Sequence, residues 1–237
     1  MKQLELTPRL RAVAELVPEN AALADIGTDH AYLPVCLLLE GKIRCAIAAD
    51  LRSGPLDRAK LTAKEYDCNE NVGFRLCDGL SAITPNEADT IVIAGMGGET
   101  IASILQAAPW TKNEIYTLIL QPMSAQNDLR AWLWRNGYGI KQERIVREGD
   151  KLYNVLSARY GAADPLSDGE EWAGRQWQGM KQELRSEYLA RLLDKTARAI
   201  DGISRGTGEK DLTRLKELRQ VHAALQKMKE EWDTWHR

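Results

Sequence analysis

The chain has 237 residues, 44% hydrophobic and 28% charged, with a formal net charge of −2. That length fits one large domain or one domain with an appendage, single domains running to about 100–200 residues. The balance excludes a disordered chain and a globally basic nucleic-acid binder, and without an apolar run of about 18 residues no membrane span is expected.

Met1 to Arg11 lack the apolar core of a secretory signal, so the chain is expected in the cytoplasm. Ala21 to Ile26 is a short apolar run that ends in an acid and a glycine. Ala31 to Leu39 reads as a helix, with Pro34 tolerable only in its first turn. Cys45 to Asp50 is a second strand, Pro55 to Tyr66 a helix, Asn71 to Cys77 a strand. Thr90 to Ala94 is the clearest buried strand and Glu99 to Ala107 the helix after it. Ile115 to Gln121 is a further strand, followed by a helix over Ser124 to Asn136 that Gly137-Tyr138-Gly139 breaks. Strands alternating with helices imply a parallel sheet covered on both faces. Ile140 to Arg147 and Leu152 to Tyr160, joined by Glu148-Gly149-Asp150, read instead as an antiparallel hairpin.

The composition changes at Gly161 to Pro165, which divides the chain into a sheet domain, 1–162, and a helical arm, 163–237. Glu170 to Ile200 and Asp211 to Trp235 read as two long antiparallel helices. Leu218, Val221, Leu225, Met228, Trp232 and Trp235 give the second a coiled-coil seam; Trp177, Met180, Leu184, Tyr188 and Leu192 give the first a matching stripe. Trp172, Trp177, Trp232 and Trp235 are expected to anchor the arm near the sheet. Cys36, Cys45, Cys68 and Cys77 form no CxxC pair and lie in or beside apolar runs, and no metal site is expected.

Five strand ends carry residues suited to chemistry. Asp25-Ile26-Gly27-Thr28-Asp29-His30 opens a helix, but Asp29 stands where a dinucleotide loop would have its second glycine. A carboxylate there repels a pyrophosphate and suits a ligand that carries an amine and a sulfonium; helix N-capping is the plain alternative. Asp50 ends the second strand, where an acid accepts hydrogen bonds from ribose hydroxyls. Asp78-Gly79 ends the third, a pair equally common in simple turns. Ala94-Gly95-Met96-Gly97-Gly98 places three glycines in four positions between a buried strand and a helix, more than a turn needs. Gln121-Pro122 ends the fifth, as a strand terminator or a substrate contact.

Leu6-Thr7-Pro8-Arg9-Leu10, the stretch Ala24 to Pro34, Ile93 to Gly98 and Leu118 to Pro122, in this order, resemble the TrmK family of bacterial tRNA (adenine(22)-N1)-methyltransferases. The resemblance implies a class I, Rossmann-like α/β domain that binds S-adenosylmethionine (SAM), with a C-terminal coiled-coil arm and tRNA as partner, in a monomer. By this likeness Asp25, Gly27, Thr28, His30, Asp50, Asp78, Gly79, Ala94, Gly95, Met96 and Gly97 hold SAM. Arg9, Gly98, Gln121 and Pro122 lie on the substrate side, and Asp29 and Tyr32 are catalytic, with His30 also turned toward the acceptor adenine. The chain departs from the family pattern at Met123, where an Asn is usual, and at Asn154, where a Glu is usual.

Adenine N1 has an in-plane lone pair and no proton at neutral pH, so methylation needs positioning rather than a strong base. A carboxylate such as Asp29 stabilises the cationic product, and Tyr32 can stack on the base. Candidate RNA contacts are Arg9, Arg11, Lys141, Arg144, Arg147, Lys151 and, at the arm's tip, Arg205 and Lys210. Residues 165–237 hold 14 Lys and Arg against 13 Asp and Glu, so any grip on RNA must come from a one-sided stripe. A non-catalytic SAM- or RNA-binding module, a methyltransferase for another substrate and a nicotinamide-dependent oxidoreductase remain rivals.

Overall fold

Ala21–Ile26 is buried along its whole length and forms β1, the pattern of a strand covered on both faces. The computed structural model, which describes residues 4–204 and 209–236 except for the side chains of 209 and 210, builds a sheet outward from it. The first two-thirds run α1 (Pro8–Leu16), β1, α2 (Tyr32–Leu39), β2 (Ile43–Asp50), α3 (Ser53–Glu65), β3 (Val72–Leu76), β4 (Thr90–Gly97), α4 (Gly98–Ala107), β5 (Thr117–Ser124) and α5 (Gln126–Arg135). The hairpin β6 (Tyr138–Glu148) and β7 (Lys151–Tyr160) follows, then α6 (Asp168–Ala173), α7 (Arg185–Ile203) and α8 (Glu209–Trp235).

The seven strands lie in the order β3-β2-β1-β4-β5-β7-β6. The first five are mutually parallel; β7 runs antiparallel to β5, and β6 antiparallel to β7. This is the class I methyltransferase arrangement expected from the sequence. One core layer joins Val13, Leu33, Val35 and Ala59 to one face of the sheet; the other joins Ile101, Leu105, Leu129 and Leu133 to the opposite face. Strand order reverses between β1 and β4, so the carboxyl ends of β1, β2, β4 and β5 open on the crevice where such sheets bind ligands.

The N-terminal helix α1 was not foreseen. Its signal is short: Thr7 caps it by accepting the N–H of Leu10 at 3.4 Å, and Pro8 occupies the first turn.

The arm differs more. The long first helix expected over 170–200 is interrupted: α6 ends at Ala173, and an irregular stretch leads to α7 at Arg185. Gly174 and Gly179, with φ of 77° and 89°, turn the chain there. Two buried arginines replace the missing helical bonds with side-chain ones. Arg130 donates from Nε to Glu143 at 2.7 Å and from Nη1 to the carbonyls of Glu171 and Trp172 at 3.2 and 3.0 Å. Arg185 donates to the carbonyls of Ala173 and Gly174. Cationic groups at these carbonyls also suit the negative end of α6.

The seam of α8 is as expected: Leu218, Val221, Leu225, Met228 and Trp232 are buried. Val221, Leu225, Met228 and Trp232 join Tyr188, Leu189 and Leu192 of α7 in a third core that takes in Ile145 and Leu152 of the hairpin and Trp172 and Trp235. Of the expected stripe, Trp177, Met180 and Leu184 precede α7. Met180 is still buried in this core, but Trp177 has 59% of its surface exposed, so on α7 itself the stripe is Tyr188 and Leu192.

Candidate active site

The loop after β1 turns on Gly27, whose φ is +78°. A Cβ there would also push on the Cε of Met96 near the end of β4, so the left-handed turn and the close approach both favour glycine. The turn is pinned to β2: the N–H groups of Gly27 and Thr28 donate to the carbonyl of Ala49 at 2.8 and 3.1 Å. Beneath it the buried Asp25 accepts the Thr28 hydroxyl at 2.5 Å. Burial raises the Asp25 carboxyl to about 6, with Thr28 opposing and the charge of Asp50 adding to the rise. No cation pairs with Asp25 among the described residues. Two carboxylates thus converge at adjacent strand ends, Asp25 with no cationic partner among the described residues and Asp50 with only the exposed Arg52 guanidinium 4.0 Å away, which fits a cationic ligand.

Asp50 accepts the N–H of Arg52 at 2.8 Å, closing the turn into α3. That turn uses Oδ1; no bond to the other oxygen occurs among the described residues. Asp78 is exposed after β3, and Gly79 has a φ of +53° with its α-carbon face against Ile104.

Asp29 does not cap α2. The residue before that helix is Ala31, in a left-handed conformation with no side-chain cap. The Asp29 carboxylate is exposed and accepts a hydrogen bond from Arg58 of α3. This bond, with His30 3.6 Å away and the nearby guanidinium groups, outweighs partial burial and holds its carboxyl below the usual range. His30 stacks on Tyr32, ring centres 5.0 Å apart and 8° from parallel. Tyr32 is 42% exposed, so the pair forms an aromatic platform beside a carboxylate.

At β4 the register slips between Ala94 and Met96. Gly95, at φ +81°, leaves the ladder there, and its N–H goes to the side-chain oxygen of Gln121 at 3.1 Å. That oxygen also accepts Nη1 of Arg9 at 2.6 Å, while Gln121 Nε2 donates to the Pro122 carbonyl at 2.9 Å. Gln121 is fully buried; its polarity serves the loop instead of merely ending a strand. Pro122 pairs with Met96 across the two strands. Gly97 stands near Ser124 and Thr100. Gly98 begins α4 against the backbone of Ala125, where a Cβ would collide with a carbonyl; close helix packing demands it.

The structure therefore gathers Asp25, Thr28 and Asp50 around one turn, Asp29, His30 and Tyr32 at its rim, and Arg9, Gly95 and Gln121 around one oxygen. Sequence reasoning missed Arg58, Glu148 and Tyr153. Glu148 accepts the N–H of Arg9 at 3.1 Å, and the Arg9 guanidinium lies 5.6 Å over the Tyr153 ring. None of the three carries a local motif. Asn154 donates to Gln126 at 3.2 Å, and Tyr188 of the arm donates to the same oxygen at 3.1 Å.

Of the candidate RNA contacts, Arg11 pairs with Glu40, Arg144 with Glu15 and Arg147 with Glu187. Lys141 and Lys151 are exposed. Arg205 and the side chain of Lys210 lie outside the described residues.

A family model described as a methyltransferase domain matches residues 6–156. The chain is 42% identical to the tRNA (adenine(22)-N(1))-methyltransferase of Bacillus subtilis (strain 168) over 169 residues, 71% of each chain. The crystal structure of the B. subtilis m1A22 tRNA methyltransferase TrmK is 35% identical with a TM-score of 0.87, covering 95% of this chain and 99% of that one. The structure of Streptococcus pneumoniae Sp1610 in complex with S-adenosyl-L-methionine is 30% identical with a TM-score of 0.78, covering 92% and 100%. Sheet order, the strand-end residues and these likenesses agree: the chain belongs to the TrmK family of tRNA (adenine(22)-N1)-methyltransferases.

Proposed function

We propose that the protein methylates N1 of adenine 22 in tRNA, with SAM as cofactor. The observation that carries this reading is the buried, cation-free carboxylate of Asp25 beneath a glycine turn, with an exposed carboxylate and aromatic platform at its rim. SAM supplies an electrophilic methyl on a sulfonium. Asp25 and Asp50 fit it as acceptors for positive and hydroxyl groups, and the loop at Gly95 allows close backbone approach. Asp78, Gly79, Ala94, Met96 and Gly97 complete the cofactor side.

The residues at the rim then have distinct tasks. Tyr32, backed by His30, offers a face on which the acceptor adenine stacks, an interaction worth about 1–3 kcal/mol. Adenine N1 brings its own lone pair, so no residue must remove a proton first. Asp29, held ionised by Arg58, stabilises the positive charge that the ring acquires. Arg9, Gln121, Pro122 and Gly98 shape the acceptor side.

Residues 1–162 act as the catalytic unit and 163–237 as an arm that contacts RNA by shape, in a cytoplasmic monomer. No described helix is long and apolar enough to cross a membrane. Since Arg9, Arg11, Arg144 and Arg147 are all held in ion pairs, Lys141 and Lys151 are the better RNA contacts.

The test is transfer of radiolabelled methyl from SAM to unmodified tRNA, followed by nucleoside analysis. N1-methyladenosine at position 22 is the expected product; label in any other nucleoside, or in none, overturns the proposal. Binding should weaken steeply with salt.

A further inference from the structure

Glu148 is the last residue of β6 and is not among the residues that the fold's strand-end logic selects. Its carboxylate nevertheless faces the start of α1. Oε2 accepts the backbone N–H of Arg9 at 3.1 Å, and Oε1 lies 3.5 Å from Arg9 Nε. Thr7, the cap of that helix, stands beside the same carboxylate. Burial works against the charged form, but Thr7, the Arg9 N–H and the Arg9 guanidinium together hold Glu148 below the ordinary carboxylate range. A carboxylate at a helix N-terminus is also favoured by the helix dipole.

The same arginine reaches on to the glycine loop. Its Nη1 donates to Gln121 Oε1 at 2.6 Å, and the Gly95 N–H donates to that oxygen at 3.1 Å. Two donors on one oxygen fix which way round the Gln121 amide sits, and Nε2 is thereby sent to the Pro122 carbonyl. Arg9 cannot swing away, because its guanidinium lies over Tyr153 and its Nε faces Glu148. Glu148, Arg9, Gln121 and Gly95 therefore form one connected chain from the edge hairpin to the glycine bulge near the end of β4.

From this geometry we infer that Glu148 is a positioning residue for methyl transfer: it holds Arg9 so that Arg9 sets the Gln121 amide and the Gly95 loop, where cofactor and acceptor base meet. The inference rests on the proposed methyltransferase reading. It assigns no proton transfer to Glu148, which touches neither reactant; its effect passes through Arg9. A charge is needed because the buried Arg9 Nε has no hydrogen-bond partner and faces Oε1 at 3.5 Å as an ion pair, so a neutral acceptor keeps the helix cap but loosens the guanidinium.

The experiment compares the full-length protein with Glu148→Gln, Arg9→Gln and the double variant. Glu148→Gln can still accept the Arg9 N–H, so its Tm should stay within about 3 °C of wild type and its Kd for SAM within about twofold. Its kcat for methyl transfer to tRNA should fall about tenfold or more with little change in KM, the signature of lost positioning. The double variant should be no slower than Arg9→Gln alone, because Glu148 acts through Arg9. Turnover of Glu148→Gln within about twofold of wild type, or losses that multiply in the double variant, would overturn the inference.

A second readout needs no substrate. In nitrogen-15 spectra of the full chain, the Gly95 backbone amide and the Gln121 side-chain amide should shift in both single variants. If both signals stay in place in Glu148→Gln, the inference fails whether or not the wild type methylates tRNA. A wild-type protein that transfers no methyl to tRNA counts against the functional reading alone.

Discussion

The Thr28 hydroxyl donates to the buried Asp25 carboxylate at 2.5 Å, and among the described residues no positive group does. A carboxyl raised from 3.8 to about 6 binds more protons in the folded than in the unfolded state between those values. Stability of the ligand-free protein therefore falls as pH rises through that window, by on the order of 3 kcal/mol in total. Asp25→Asn should raise the Tm at pH 7 and lose that advantage near pH 4. A cationic ligand reverses the preference, so SAM affinity should weaken below about pH 6, by up to about tenfold per unit. Calorimetric titrations across pH 5 to 7.5 test this, and a flat affinity would show that Asp25 does not meet the ligand's charge.

Gly27→Ala should damage the site more than the fold. A left-handed backbone costs an alanine about 1–2 kcal/mol, and the new Cβ pushes on Met96. The Met96 side chain can give way, but the loop then moves against the cofactor. Thermal unfolding and equilibrium dialysis with SAM separate the two effects. A Tm lowered by a few degrees with SAM affinity weakened at least about tenfold is expected; unaltered affinity would remove this turn from the binding site.

Asp29→Asn removes a charge from the rim while leaving the backbone of the turn alone. Turnover should drop about 100-fold, the scale of losing one aligned electrostatic partner, and tRNA affinity should change little. Single-turnover rates beside filter-binding curves give both quantities. Equal losses in rate and affinity would make Asp29 a structural partner of Arg58 and nothing more.

Glu143→Ala should loosen the arm. Arg130 has no exposed surface and its Nε has Glu143 as partner at 2.7 Å. Removing one member of a buried pair costs about 3–5 kcal/mol because the other charge is stranded. Limited proteolysis should then cut between Gly174 and Leu184 well before the sheet domain is attacked. A protease pattern like that of the wild type would mean that the apolar core around Leu225 holds the arm by itself.

Much of this was legible without coordinates. β1, β2, β4 and β5 are short apolar runs closed by acids, glycines or Gln-Pro, and each became a strand with those residues at its carboxyl end. The seam of α8 follows from its spacing. Helical spacing runs on through Gly174 and Gly179, but their positive φ ends regularity, so the first arm helix is shorter than its spacing suggests and Trp177, apolar and in register, stands exposed.

What the sequence determined alone is local: which segments are strands, which helices, and which strand ends bear acids and glycines, since these depend on periodicity and turn chemistry within a few residues. Only the tertiary structure decided partners that lie far apart in the chain. Glu148 meets Arg9 across 139 residues and Arg9 meets Gln121 across 112. Burial raises Asp25, and Arg58 holds Asp29 charged, through contacts that no spacing rule contains. These are effects of burial and of distance in space, and the chain acquires both only when the sheet brings its strand ends together.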